Sequence, residues 1–177
     1  AGPISIVPSQ VPKFDPAAPP FVGAIRLHLI EARNLLVKDE TTSDPFAEIS
    51  LVTESGNDEQ VKKSKVIQKT LDPVWNESFV FDCAAKHRSL RIELRDKDAF
   101  RTQLLGLAQF SLQLVNRDDA LAANKLDAWV KLEPRPDKAE KEAQGDVHIR
   151  IEIEQRQKVT APASTPPSPR PRRPGGG

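Results

Sequence analysis

Four aspartates set the terms of any chemistry in this chain. Asp39 and Asp44 flank Glu40-Thr41-Thr42-Ser43, and Asp96 and Asp98 flank Lys97. Carboxylates are oxygen donors, and several of them on facing loops repel one another unless a cation or a basic partner compensates. If the chain between the two pairs folds as an all-β sandwich, both become loops at one end of it. Four carboxylates then share one small volume.

The elements that must position them have to come from 177 residues, enough for one domain with a sizeable core and too few for two of ordinary size. Met is absent, so the chain reads as a piece of a longer protein. Cys83 is the single cysteine, which removes an intrachain disulfide and a cysteine-rich zinc framework and fits a reducing cytoplasmic compartment. No apolar run approaches the roughly 20 residues that span a bilayer, so any membrane contact is expected to be peripheral. The formal charge is +1, but the four basic residues after Arg156 (Lys158, Arg170, Arg172, Arg173) have no acids beside them, and Lys13 and Asp15 cancel. Taking those four from +1 leaves residues 21–156 at −3, mildly acidic.

Residues 1–20 are rich in proline, which fixes φ and removes a donor, so they read as a linker or extended arm. From Gly23 the pattern changes. Ala24-Ile25-Arg26-Leu27-His28-Leu29-Ile30-Glu31 alternates apolar with polar, the period of a half-buried strand, with His28 on the solvated side. The same reading places strands at 46–52, 63–67, 77–82, 90–95, 106–112, 129–132 and 146–154. Turn-rich segments such as Glu54-Ser-Gly-Asn-Asp-Glu59 separate them. Eight short strands predict an all-β, eight-stranded antiparallel Greek-key β-sandwich over residues 21–156. Between strands six and seven, residues 112–126 carry Asp118 and Asp119 where the first turn of a short helix would hold them, ending near Asn124. Residues 157–177, with Pro-Ser-Pro-Arg-Pro-Arg-Arg-Pro and three terminal glycines, predict a disordered Pro/Arg-rich tail.

Four segments resemble the C2 domain family: Ile30-Glu-Ala-Arg-Asn-Leu35, Ser43-Asp-Pro-Phe46, Lys69-Thr-Leu-Asp-Pro-Val-Trp-Asn-Glu77, and Asp96-Lys-Asp98 followed by Leu105-Gly106. The third is the most specific, because it joins a turn, an indole and an acid in one short run. The Ala-Arg-Asn-Leu strand comes first and Gly145-Asp-Val-His-Ile-Arg-Ile-Glu-Ile153 last, which resembles the type II strand permutation. Trp129-Val-Lys-Leu132 before a Gly-led final strand resembles the multi-C2 membrane tethers, the extended synaptotagmins and tricalbins.

That resemblance implies a calcium site. Asp39 and Asp44 match the loop 1 ligands, Asp96 and Asp98 the first two of loop 3, and the backbone oxygens of Lys38 and Lys97 the main-chain ligands. It also implies calcium-dependent, peripheral binding to anionic phospholipid membranes on the cytoplasmic side. Phe100 and Arg101 match a loop tip that inserts into the bilayer and meets lipid phosphate. Lys62, Lys63, Lys65 and Lys69 match a basic strand that contacts phosphoinositide or phosphatidylserine headgroups, with Lys63, Lys65 and Lys69 on one face if that strand is regular. Loop 1 departs from the family by being shortened and lacking Gly, and Thr102-Gln103-Leu104 stands where a further acid is common. Affinity for calcium falls with ligand charge. The opposing reading is a degenerate, calcium-independent C2 domain serving as a protein-interaction or constitutive lipid-binding module, in which Asp44 caps the turn into Pro45 and Asp96 and Asp98 accept backbone bonds. The Pro-rich tail carries a Pro-x-x-P signal for a protein partner.

An enzyme is not expected: there is no phosphate-cradling glycine loop and no nucleophile on a strand-turn-helix, and His28, His87 and His148 are scattered. Nucleic acid is not expected either, because residues 21–156 are acidic and lack aromatics interleaved with the basic residues.

Overall fold

The computed structural model describes residues 2–37, 43–98, 102–116, 125–136 and 142–157. Nine strands follow in chain order: β1 (Ile4–Ile6), β2 (Gly23–Arg33), β3 (Pro45–Thr53), β4 (Asp58–Lys63), β5 (Val74–Cys83), β6 (His87–Lys97), β7 (Thr102–Ser111), β8 (Lys125–Lys131) and β9 (Asp146–Arg156). They form two sheets, ordered β1-β8-β9-β2-β5 and β4-β3-β6-β7. Every pairing is antiparallel except β1 on β8.

Alternation along the strands makes the core. Ile25, Leu27 and Leu29 of β2 and Val147, Ile149 and Ile151 of β9 point inward with no exposed surface, opposite Ala47, Ile49 and Leu51 of β3 and Leu90, Ile92 and Leu94 of β6. Burying each large aliphatic side chain contributes about 1.5–3 kcal/mol. A register shift between Leu29 and Glu31 re-phases β2 at its end, so Ala32 is buried and Arg33 faces out. The first and last strands of the sandwich, β2 and β9, lie side by side, as the type II order requires.

Two expectations need correction. The strand expected at 63–67 begins five residues earlier and runs over Asp58–Lys63, because Gly56 (φ +88) closes the hairpin and brings Asp58 and Glu59 into the ladder with β3. Beyond Lys63 the chain still bonds to β3, through Ser64 N–H to Ala47 O (2.9 Å) and Ile67 N–H to Pro45 O (3.0 Å), without a regular ladder. The short helix expected to carry Asp118 and Asp119 in its first turn and to end near Asn124 falls outside the described residues, and Leu112–Asn116 just before it form a 3-10 turn.

The second correction concerns the arm. Residues 2–20 lie against the sandwich: β1 pairs in parallel with β8 (Ile4↔Ala128, Ile6↔Val130), and Ile6 and Pro8 are buried. Gln113 receives Asp15 N–H on Oε1 (2.8 Å) and gives its own amide hydrogens to the carbonyls of Asp15, Ala18 and Pro19. Proline removed donors from this segment, but its carbonyls remained available, and that is where the contacts form. The tail after Gln157 lies outside the described residues.

Candidate functional site

The candidate site is built where β2 ends, β3 begins and β6 ends. Asn34 takes the left-handed conformation (φ 55), which asparagine tolerates, and turns the chain out of β2. Its N–H donates to Asp72 Oδ1 (3.0 Å), and Leu35 N–H donates to Leu71 O (3.1 Å). Across the loop, Ser43 Oγ–H donates to Leu36 O (3.0 Å), tying the two ends of loop 1 together.

Asp44 is the hub. Its own N–H donates to Asp96 Oδ1 (2.7 Å), its carbonyl accepts from Lys97 N–H (3.0 Å), and its carboxylate accepts Lys69 N–H on Oδ1 (2.7 Å). One residue therefore joins loop 1, the end of β6 and the segment before β5. Asp96 has no exposed surface, and Asp98, two residues on, is half-buried. Thus Asp44, Asp96 and Asp98 share one end of the sandwich, with Lys97 between the last two.

The donor set contains only oxygens, the chemistry that suits a hard cation such as calcium, which takes six to eight of them at about 2.3–2.6 Å. Among the described residues, no three His, Cys, Asp or Glu side chains are grouped to hold a metal ion. Asp39, the Lys38 main chain, Phe100 and Arg101 all fall outside the described residues.

The Lys69–Glu77 run earns its specificity from what it holds. The Trp75 indole is 7 % exposed and its Nε1–H donates to Lys65 O (2.8 Å), while Glu77 Oε2 accepts Lys65 N–H (2.9 Å). Pro73 O accepts Ala32 N–H (2.9 Å), and Thr70 N–H donates to Ser43 O (2.9 Å). The motif therefore fixes the segment 65–70 against β5, and that segment presents the Lys69 N–H to Asp44.

The regular strand over 63–67 that would put Lys63, Lys65 and Lys69 on one face is not formed. Lys62 and Lys63 are neighbours in β4, opposite Ile49 and Glu48, and so point to opposite sides. Lys65 lies in the irregular segment, and Lys69, at φ +52, sits beside Asp44 at the loop end. Lys63, Lys65 and Lys69 are exposed, and Lys62 is half-buried.

Sequence reasoning missed a cluster on the outer face of the second sheet. Glu93, 7 % exposed, pairs with Arg91 (3.3 Å), Arg135 (3.4 Å) and Arg95, while Arg91 also meets Asp58 and Arg95 meets Glu48 (3.6 Å). The i, i+2 spacing of Arg91, Glu93 and Arg95 was the available signal, since a strand puts all three on one face. Sequence reasoning also missed Val37, 40 % exposed at the entrance to loop 1.

A sandwich of this order, with paired aspartates at one end, defines the class, and the chain belongs to the C2 domain family, whose model matches residues 23–132. It is 37 % identical over 90 residues to mouse Multiple C2 and transmembrane domain-containing protein 2, covering 50 % of this chain and 10 % of that protein. To mouse Extended synaptotagmin-3 it is 33 % identical over 116 residues, covering 62 % of this chain and 12 % of that protein. Among solved structures it is similar to a calcium-bound pair of C2 domains from Extended-Synaptotagmin 2, with TM-score 0.60, 31 % identity, and 77 % of this chain and 47 % of that one covered. The chain thus spans a small part of these curated relatives. No helix among the described residues is long and apolar enough to cross a membrane.

Proposed function

We propose that this chain is a calcium-responsive module that binds anionic phospholipid membranes peripherally from the cytoplasmic side, within a longer multi-C2 tether. The observation that carries the reading is the meeting of Asp44 and Asp96 at one end of the sandwich, with Asp98 beside them. The calcium-bound description of a similar solved structure supports it.

In this reading Asp39, Asp44, Asp96 and Asp98, with the main-chain oxygens of Lys38 and Lys97, hold calcium. Bound calcium supplies positive charge and coordination positions that a lipid phosphate or carboxylate fills. The protein residues do the rest. Lys69, next to Asp44, adds a cation at the same end, and Lys62, Lys63 and Lys65 extend it toward phosphoinositide or phosphatidylserine headgroups, each contributing about 1 kcal/mol near an anionic surface. Val37 joins Phe100 as apolar contact, and Arg101 meets phosphate. The Glu93 cluster is internally compensated by acids and contributes little to this attraction.

Calorimetric titration with calcium, then co-sedimentation with phosphatidylserine vesicles in calcium or chelator, tests the proposal. Calcium heat together with calcium-dependent sedimentation is expected; neither signal overturns it. One observation favours the second reading, a constitutive lipid-binding or protein-interaction module. Asp44 and Asp96 already accept backbone N–H bonds, as aspartates with a purely structural role do. Vesicle binding unchanged by chelator would select it.

A further inference from the structure

The arm, which precedes the residues that match the family, builds a cavity together with some of them. The match begins at residue 23, whereas residues 8–14 roof a cavity of about 840 Å³ over the β6–β7 edge. Its volume falls in the range of small-ligand pockets, about 300–1,000 Å³. The cavity is closed on the far side by Glu133, whose Oε1 accepts Ser9 N–H (3.0 Å) and whose backbone pairs with Leu107.

The lining has two chemistries. Val11, Phe14, Leu107, Phe110, Pro134 and Pro136 make it mostly apolar. Lys13, Arg88 and Arg135 bring positive charge against one acid, Glu133. Arg135 is paired with Glu93, and Arg88 with the exposed Glu54 (3.2 Å). Arg88 also lies 3.8 Å over the Phe14 ring, and its Nε is buried without a hydrogen-bond acceptor. Lys13 is exposed and makes no ion pair among the described residues. A half-open apolar groove rimmed by cations, one of them with a buried N–H that lacks an acceptor, suits an apolar chain that ends in an anion.

We propose that this cavity binds a single-chain lipid with an anionic head, of which a long-chain fatty acid is the simplest form. Charge selects this occupant over the chain's own tail, because Arg170, Arg172 and Arg173 carry the same sign as the rim. The site is separate from the aspartates. Ser89, in the cavity wall, and Asp96 lie seven residues apart on β6, roughly 23 Å at a strand rise of about 3.3 Å per residue. Occupancy is therefore independent of calcium.

The test titrates the full chain with oleate, below its aggregation concentration, in chelator, because calcium precipitates oleate as a soap. Saturable one-to-one binding is expected, at least tenfold weaker for oleyl alcohol, which keeps the chain and lacks the charge. Lys13→Gln changes an exposed side chain and should weaken oleate several-fold. Ser89→Trp, checked for folding by circular dichroism, should fill the cavity and abolish binding. No saturable binding, equal binding of oleate and the alcohol, or indifference to both substitutions overturns the proposal. So does displacement of oleate at comparable affinity by a peptide of residues 160–174, which would make the tail the occupant. None of these outcomes bears on the calcium titration.

Discussion

The backbone N–H of Asp44 donates to the buried carboxylate of Asp96 at 2.7 Å. Two residues expected to serve as ligands are thus bonded to each other through the main chain, and Asp96 has a structural task in addition to any ion. Asp96→Ala should therefore destabilise the domain by about 1.5–3 kcal/mol even in chelator, because a charge-assisted hydrogen bond is lost and the Asp44 N–H is stranded. Urea unfolding in chelator measures this. Unchanged stability would mean that the bond contributes nothing.

Trp75→Phe keeps the apolar body and removes the Nε1–H bond to Lys65 O. The expected cost is about 1 kcal/mol in stability. Under the proposed calcium reading, calcium affinity falls as well, because the segment that delivers the Lys69 N–H to Asp44 loses an anchor. Comparing the two measurements separates packing from positioning.

Gly145→Ala should be among the most damaging single substitutions. Gly145 has φ +89, and an added Cβ would lie 2.3 Å from Arg33 O and 2.6 Å from Asn34 O, both backbone atoms that cannot yield cheaply. Strain of about 1–3 kcal/mol from the backbone alone, with the clash added to it, predicts a large fall in Tm or failure to accumulate.

Deleting residues 1–20 exposes the β8 edge and Ile6's seat on the core. Losing Ile6 alone is worth about 1.5–3 kcal/mol. A lower urea midpoint for the deleted chain is expected, and an unchanged midpoint would show that the arm only rests on the surface.

Burial, and secondarily the neighbouring Asp82 charge, push the Cys83 thiol up to about 12 from its usual 9.0. The unfolded thiol thus ionises first. The contribution of Cys83 to stability is constant below pH 9 and is lost as pH rises from 9 toward 12. Unfolding of the native chain and of Cys83→Ala, in reductant at pH 8 and pH 10.5, should show the larger loss in the native chain. Iodoacetamide at pH 8 should label the folded chain far more slowly than the urea-unfolded one.

Much of the sandwich was legible because alternation is strict where a strand has one dry face, as in Ile25-Arg26-Leu27-His28-Leu29. The charged edge strand β4 was misplaced for the converse reason: Asp58-Glu59-Gln60-Val61-Lys62-Lys63 has no buried side to set a period, so the turn at Gly56 and polar side-chain contacts such as Gln60 with the Asp82 main chain fix its register. The arm hid for a related reason, since its contacts use carbonyls and three apolar residues between prolines, neither of which produces periodicity. Of the site, the approach of Asp44 to Asp96 was readable from the motifs. The capture of Lys69 by Asp44 was not, because it depends on a left-handed residue that sequence does not mark.

The chain has two tryptophans and no tyrosine, so its indole emission has two sources and no tyrosine background. Trp75 is sealed beneath the segment that feeds the aspartates, whereas Trp129 is half-buried between Arg33 (3.9 Å) and the His148 ring (4.8 Å), on the strand that the arm covers. Both lie toward the end of the sandwich that holds the aspartates, since Trp129 is level with His148, which pairs with Glu31, and Glu31 in turn pairs with Val74 beside Trp75. With Trp129→Phe the remaining signal belongs to the segment that feeds Asp44, and with Trp75→Phe to the edge where the arm meets β8, so the two neighbourhoods can be followed separately without attaching a dye.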